Sequence, residues 1–204
     1  MPVWIRTTLY GVMLLCCGVI GTGVYLQIAE PDSIDEAAAR NDSFPDELPL
    51  FTLNDVWDEP HSIQEWSGEP LLINFWATWC APCRREMPLL QALHNDQAKA
   101  GITVIGIAID RRPDVQSYIA EAGISYPILS GEIDAMAVSD LFGLEGLGLP
   151  FSVLVGSNGQ VLTVFIGEIE LAELQEMIAI SQAVEAQELA ISDARLSLEQ
   201  LANK

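Results

Sequence analysis

The chain has 204 residues, half of them apolar, so it can bury the core of one domain of about 100 to 150 residues. Twenty-nine acidic residues stand against nine basic ones, and the formal net charge is −20 at pH 7. This charge disfavours binding to nucleic acid or to anionic lipid surfaces, so we predict no nucleic-acid partner. We interpret the charge as an adaptation for solubility or high salt; an acidic docking surface is the alternative.

The N-terminal segment carries no charged residue over residues 7–29, a length that can cross a hydrocarbon layer about 30 Å thick as a helix. One arginine precedes this segment and four acidic residues follow it within residues 30–36. The positive-inside rule therefore predicts that the rest of the chain is exported. We therefore predict a signal anchor or transmembrane helix over residues 1–29. It would leave the C-terminal domain facing the periplasm or cell exterior. The alternatives are a cleaved signal peptide, for which residues 21–23 are small enough, and lipidation of Cys17.

A linker is predicted for residues 30–49, where acidic residues, Ala, Ser and Pro mix without apolar periodicity. A single folded domain should follow over residues 50–180. Weak alternation over residues 50–53 predicts its first strand, and residues 62–66 can form a short helical turn. The apolar, aromatic-rich run over residues 71–76 predicts a buried strand.

A Cys-x-x-Cys pair, Cys80 and Cys83, follows this buried strand. Pro82 indicates the first turn of a helix, so we expect Cys80 at the helix N-terminus. Unpaired backbone N–H groups and the helix dipole stabilise a thiolate at such a position. Cys83 is close enough to attack a mixed disulfide formed at Cys80. The spacing therefore predicts a redox-active dithiol.

Half of a zinc site is the alternative interpretation of this cysteine pair. Tetrahedral zinc needs two more ligands, and the two histidines of the chain, His61 and His94, stand alone in different segments. We therefore predict no metal and no cofactor other than the disulfide. Both histidines are expected to face solvent.

Helices and strands alternate after the dithiol. The predicted elements are a helix to about residue 100, a parallel strand over 102–109, helices over 113–122 and 134–142, and strands over 151–155 and 160–166. Ser157, Asn158 and Gly159 give a hairpin signal between the last two strands, so the sheet should change from parallel to antiparallel.

The C-terminal part should begin with a helix from residue 170, and the domain is expected to end near residue 180. Residues 181–204 are predicted to be a helical extension. They are too apolar for a disordered tail and too irregular for a heptad seam. The sequence of these residues is compatible with a packed or self-associating helix and also with a fraying extension.

The sequence over residues 74–88, "NFWATWCAPCRREMP", resembles the thioredoxin superfamily, in particular the TlpA/ResA-like branch of membrane-anchored thiol-disulfide oxidoreductases. The resemblance covers residues 44–180. It includes a proline before a strand within residues 148–155, and extra length over residues 123–142. It implies an α/β thioredoxin fold, in which helices flank a mixed central sheet with an added strand and helix. The proline, Pro150, is implied to be cis and to face the dithiol.

The resemblance also implies three catalytic residues and three that contact substrate, namely Cys80, Cys83 and Glu86, and Trp79, Leu149 and Pro150. In thioredoxin a buried Asp in the strand helps the second cysteine to lose its proton. The matching residue here is Asn74, which cannot take a proton. Glu86 is the candidate substitute, and an ordinary helix-surface carboxylate is the alternative. Phe151 replaces the small hydroxyl residue usual after the proline, so we expect a narrower or more apolar substrate groove.

These observations predict an enzyme, a membrane-tethered thiol-disulfide oxidoreductase that reduces disulfides of exported proteins. Clients of the cytochrome c maturation type and a membrane thiol electron donor are implied by the family alone. A thiol oxidant and a peroxiredoxin-type peroxidase are alternatives among redox enzymes. The peroxidase needs a Pro-x-x-x-Thr-x-x-Cys segment, and residues 70–75 lead to no such cysteine. A non-catalytic Cu(I) chaperone is the alternative from another class.

Overall fold

A computed structural model of the chain describes residues 44–144 and 148–202. The predicted membrane segment over residues 7–29 and most of the predicted linker lie outside the described residues. Within the described part of the chain, no helix has the length and apolarity that a membrane span requires.

The described residues form strands and helices that alternate along most of the chain. The strands are β1 (Thr52–Asn54), β2 (Pro60–Ser62), β3 (Leu71–Trp76), β4 (Thr103–Ile109), β5 (Ile128–Gly131), β6 (Phe151–Val155) and β7 (Val161–Ile166). The helices are α1 (Ala81–Asn95), α2 (Gln97–Ala100), α3 (Arg112–Ala122), α4 (Ile133–Asp140), α5 (Leu171–Glu185) and α6 (Ile191–Ala202), with a 3₁₀ turn over Ile63–Trp66.

One five-stranded sheet lies at the centre of the fold, in the order β5-β4-β3-β6-β7. Strands β3, β4 and β5 are parallel to one another, whereas β6 pairs antiparallel with both β3 and β7. The predicted change from parallel to antiparallel is therefore present. The extra length between the central strand and Pro150 forms β5 and α4, as the resemblance implies. Strands β1 and β2 pair in a separate hairpin, and β2 is too short to give a signal in the sequence.

The sheet separates two apolar clusters, and successive residues of β3 alternate between them. Leu72 and Trp76 lie in the cluster that contains α1 and α5 residues, whereas Ile73 and Phe75 lie in the cluster that contains residues of α4. Asn74, between them in the sequence, thus belongs to the face covered by α1. This alternation places an amide side chain behind the dithiol helix.

Helix α1 ends earlier than the sequence predicts. It stops at Asn95, and Asp96 has φ −99° and ψ 17°, which interrupts the helix before α2 begins. Asn95 and Asp96 both have low intrinsic helix propensity, which favours a break at this place. Gly101, with φ of 70°, ends α2 at the predicted place.

The ends of the described chain both pack on the domain. Residues 44–49, predicted as linker, run beside the β6–β7 hairpin, where the Leu48 backbone N–H donates to the Gly159 carbonyl at 2.9 Å. Residues of the predicted linker therefore contact a segment far along the chain. Helix α6 buries Leu198 and Leu201 in the core, so the C-terminal extension is a packed helix.

Candidate active site

The dithiol lies where the strand-to-helix junction was predicted. Cys80 is the N-cap of α1 and forms a disulfide with Cys83, with 5.3 Å between the two Cα atoms. The Cys83 backbone N–H donates to Cys80 Sγ at 3.2 Å. Cys80 retains 4% of its surface and Cys83 retains none, so only Cys80 is within reach of a partner in solution.

The loop before the dithiol is held by Asp110, a residue that the sequence analysis missed. The Thr78 backbone N–H and hydroxyl both donate to Asp110 Oδ2, at 2.9 and 2.5 Å. Asp110 directly follows β4, and the carboxyl ends of the parallel strands β3 and β4 meet at one edge of the sheet. A polar residue immediately after a buried strand was the signal that could have found it.

The residues expected to contact substrate lie around the same end of β3. The Leu149–Pro150 peptide bond is cis, as the resemblance implies. Because Phe75 of β3 pairs with Phe151, Pro150 precedes β6 at the level where β3 leads into the dithiol loop. Trp79 exposes 60% of its surface beside Cys80 and Leu149 is half-buried.

The expectation for Phe151 is wrong. Its ring stacks on Phe75 with centroids 4.2 Å apart and is 2% exposed, on the sheet face that packs against α4. The side chain therefore fills the core and does not line a surface groove.

Glu86 is buried, with 1% of its surface exposed, so it is not a helix-surface carboxylate. It follows Cys83 by three residues, which places both on one face of α1. Asn74 Nδ2 donates to Glu86 Oε1 at 2.8 Å and to Ser152 Oγ at 3.0 Å. The Ile169 backbone N–H donates to Glu86 Oε2 at 2.8 Å. Two segments distant in sequence, β3 and the loop before α5, thus donate to this carboxyl group.

The pKa of Glu86 is raised from 4.5 to about 7, chiefly because burial disfavours the charged form. The hydrogen bonds from Ile169 and Asn74 lower it, and the nearby charge of Glu168 raises it. The group can therefore gain or lose a proton near neutral pH. Asn74 Oδ1 is buried without a hydrogen-bond partner. Rotation of the Asn74 amide would offer this oxygen to a protonated Glu86.

The two histidines are half-buried rather than solvent-facing. His61 contacts Glu65 Oε2 at 2.8 Å, and this hydrogen bond raises the pKa of His61. His94, on the last turn of α1, packs its ring edge against Tyr126. Among the residues that the structure describes, no three His, Cys, Asp or Glu side chains group in a way that could hold a metal ion.

A family model described as "AhpC/TSA family" matches residues 45–164, more than half of the chain. The chain belongs to this family. A thiol-disulfide oxidoreductase ResA from Bacillus thuringiensis (strain Al Hakam) is 30% identical over 124 residues, which cover 60% of this chain and 69% of that protein. The ResA of Geobacillus thermodenitrificans (strain NG80-2) is 25% identical over 167 residues, covering 81% of this chain and 89% of its own length.

Solved structures agree with this assignment. A thiol:disulfide interchange protein of the thioredoxin family from Chlorobium tepidum TLS superposes with a TM-score of 0.59 and 28% identity, over 67% of this chain and 96% of that chain. A secreted thiol-disulfide isomerase from Corynebacterium glutamicum gives a TM-score of 0.58 and 25% identity, over 67% and 90% of the two chains. The fold is thioredoxin-like, and the protein is a thiol-disulfide oxidoreductase, as the sequence predicts.

Proposed function

We propose that this oxidoreductase reduces disulfides in exported proteins and is tethered to the cytoplasmic membrane through residues 7–29, with its thioredoxin-like domain outside. The observation that supports the proposal best is the pairing of Cys80, which retains 4% of its surface, with a fully buried Cys83, backed by a buried carboxyl group. Clients of the cytochrome c maturation type are the expectation that the resemblance supplies.

The first step is attack on the client. The Cys80 thiolate, at the N-terminus of α1, attacks one sulfur of the client disulfide, and the other sulfur leaves as a thiolate. Backbone N–H groups and the dipole of this 15-residue helix stabilise the attacking thiolate. Trp79, Leu149 and Pro150, around the dithiol, are proposed to hold the client chain.

The second step resolves the mixed disulfide. Cys83 loses its proton and attacks Cys80 Sγ, which releases the second client thiolate and leaves the Cys80–Cys83 disulfide. Two electrons have then moved from the protein to the client, and a membrane thiol donor must reduce the pair again. Cys83 is enclosed, so its proton needs an acceptor within the protein. We assign this role to Glu86, which shares the buried face of α1 and titrates near neutral pH.

Three competing functions predict different chemistry at the same cysteines. A thiol oxidant would use the same two steps in reverse. A peroxidase would react with peroxide at Cys80, and a Cu(I) chaperone would bind the metal without exchange. The bonded cysteines are three positions apart, which is the Cys-x-x-Cys spacing of thioredoxin-like redox sites and supports dithiol exchange over peroxide turnover.

The decisive experiment is the reduction potential of the Cys80–Cys83 pair, measured on the full-length protein against glutathione and dithiothreitol buffers. A value near that of thioredoxin, about −270 mV, or moderately above it, supports a reductase. A value near about −120 mV makes the protein an oxidant and refutes the proposal. Turnover of hydrogen peroxide would indicate a peroxidase instead, and stoichiometric Cu(I) binding without disulfide exchange would indicate a copper chaperone.

A further inference from the structure

The segment 167–170, between β7 and α5, contacts two parts of the active site. The Gly167 backbone N–H donates to the Pro150 carbonyl at 2.9 Å. Two residues later, the Ile169 backbone N–H donates to Glu86 Oε2 at 2.8 Å. We call this segment the clamp loop. It connects the cis-proline turn to the buried carboxyl group.

An ion pair fastens the clamp loop to the outside of α1. Arg85 Nε donates to Glu168 Oε1 and Oε2 at 3.0 and 3.1 Å, and a second guanidinium nitrogen of Arg85 also contacts Oε2. Arg85 precedes Glu86, and Glu168 precedes Ile169. Two neighbouring residues of α1 therefore bond to two neighbouring residues of the clamp loop. The ion pair lies at the surface, and the Ile169–Glu86 hydrogen bond lies inside the protein.

We propose that Glu168 and Arg85 are positioning residues, whose pairing keeps the Ile169 N–H on Glu86 and so controls how readily Glu86 takes up a proton. The inference rests on the proposed function of Glu86 as proton acceptor for Cys83. An ion pair between exposed side chains contributes little to stability by itself. This ion pair matters because it fixes the position of the next residue in each segment. The strength of a hydrogen bond to a buried carboxylate depends closely on distance and angle.

Glu168 acts on Glu86 in two opposite ways. Its negative charge raises the pKa of Glu86 through space, whereas the Ile169 N–H that it holds in place lowers it. Two other groups interact with Glu86, namely the Asn74 amide, which donates to it, and the phenol of Tyr126. The guanidinium of Arg85 pairs with Glu168. Burial and the charge of Glu86 raise the pKa of Tyr126, which keeps that phenol neutral.

These opposed signs make the proposal testable with two variants of the full-length oxidised protein, Glu168→Ala and Arg85→Ala. If the ion pair positions Ile169, both variants raise the pKa of Glu86 because each loses the same hydrogen bond. The rise should be roughly one pH unit in Arg85→Ala and smaller in Glu168→Ala, which also loses the negative charge of Glu168. If only charge matters, Arg85→Ala raises this pKa and Glu168→Ala lowers it. The pKa is read from the ¹³C signal of the Glu86 carboxyl carbon, assigned by its loss in Glu86→Gln.

A second readout reports the hydrogen bond directly. Hydrogen exchange of the Ile169 amide should accelerate at least about tenfold in both variants, while the thermal unfolding of each variant confirms that it is folded. Arg84→Ala is the matched control, because it removes the neighbouring cation of the same helix and leaves the ion pair intact. Its Ile169 amide should keep wild-type protection. A lowered or unchanged pKa of Glu86 in Glu168→Ala, or unchanged Ile169 protection, overturns the inference.

Two further arms keep the outcome clear. Should an alanine variant fail to fold, Arg85→Lys keeps the positive charge, loses the contact of two nitrogens with one carboxylate, and should raise the pKa of Glu86 in the same direction. The pH profile of mixed-disulfide resolution tests the proposed function separately. If the pKa of Glu86 moves as expected and this profile does not follow it, the positioning role stands and the role of Glu86 as proton acceptor fails.

Discussion

Replacing Glu86 by Gln should remove a pH dependence from the stability of the domain. The pKa of Glu86 is about 7 in the folded protein against 4.5 for an unperturbed glutamate carboxyl group. Folding therefore favours the protonated form, and ionisation works against the folded state. A shift of this size corresponds to about 3 kcal/mol.

The sign follows from proton binding. Between pH 4.5 and about 7 the folded protein holds more protons at this group than the unfolded chain does, so stability falls as the pH rises. The contribution is fully present below pH 4.5 and is lost as the pH rises through about 7. Gln has no proton to lose. It also fits the site, because its oxygen can accept from the Ile169 N–H and its amide can donate to Asn74 Oδ1 once the Asn74 amide rotates.

The assay is urea unfolding of the oxidised proteins at about pH 4.5, 6 and 8. The free energy of unfolding of the wild type should fall relative to Glu86→Gln by about 3 kcal/mol between the lowest and highest pH. All other titrating groups are common to both proteins, so they cancel in this difference. A difference that stays constant with pH would show that Glu86 ionises as freely in the folded protein as in the unfolded chain, and the argument from burial would be wrong.

Three further predictions concern the site and the packing. Cys83→Ser should accumulate a mixed disulfide between Cys80 and the client, approaching one equivalent by mass spectrometry, whereas Cys80→Ser should form none. In Glu86→Gln, the rate of resolution between pH 5 and 9 should lose the inflection near the pKa of Glu86, and an unchanged rate at every pH would contradict a role in proton transfer. Leu198→Ala should lower the free energy of unfolding by about 2 to 5 kcal/mol, because Leu198 is 1% exposed. Leu196 lies on the same helix and is 42% exposed, so Leu196→Ala should change this free energy by less than about 0.5 kcal/mol. Equal effects would show that α6 does not pack as described.

The elements that the sequence predicts well are those whose signals are local. The strand over Leu71–Trp76 has the predicted bounds, and the helix that begins after Cys80 is marked by a proline in its first turn. The strand Phe151–Val155 likewise lies between a proline and a turn that contains glycine. In each case the residues that fix the boundary are neighbours in the chain.

The features that could not be predicted depend on contacts between distant segments. Nothing near Glu86 in the sequence distinguishes a buried carboxyl group from an exposed one. The Ile169 backbone N–H that contacts this group lies 83 residues downstream, in the loop before α5. The packing of residues 44–49 beside Gly159 and the burial of α6 are of the same kind. Local patterns predict which face of a helix is apolar, and they leave open which distant segment covers it.

The position of the carboxyl group has a physical consequence. A carboxyl group on strand β3 would be held by the rigid sheet. In this protein the strand carries an amide, Asn74, and the carboxyl group of Glu86 lies on α1, between the strand and the clamp loop. Its ionised form is stabilised by one donor from each side, Asn74 and Ile169. The Asn74 donor lies in the core of the sheet, but the Ile169 donor belongs to a loop fastened by a surface ion pair. The Ile169 donor is therefore the one that can be displaced more easily. Any event that displaces the clamp loop from Glu86 should raise the pKa of Glu86 without moving the cysteines.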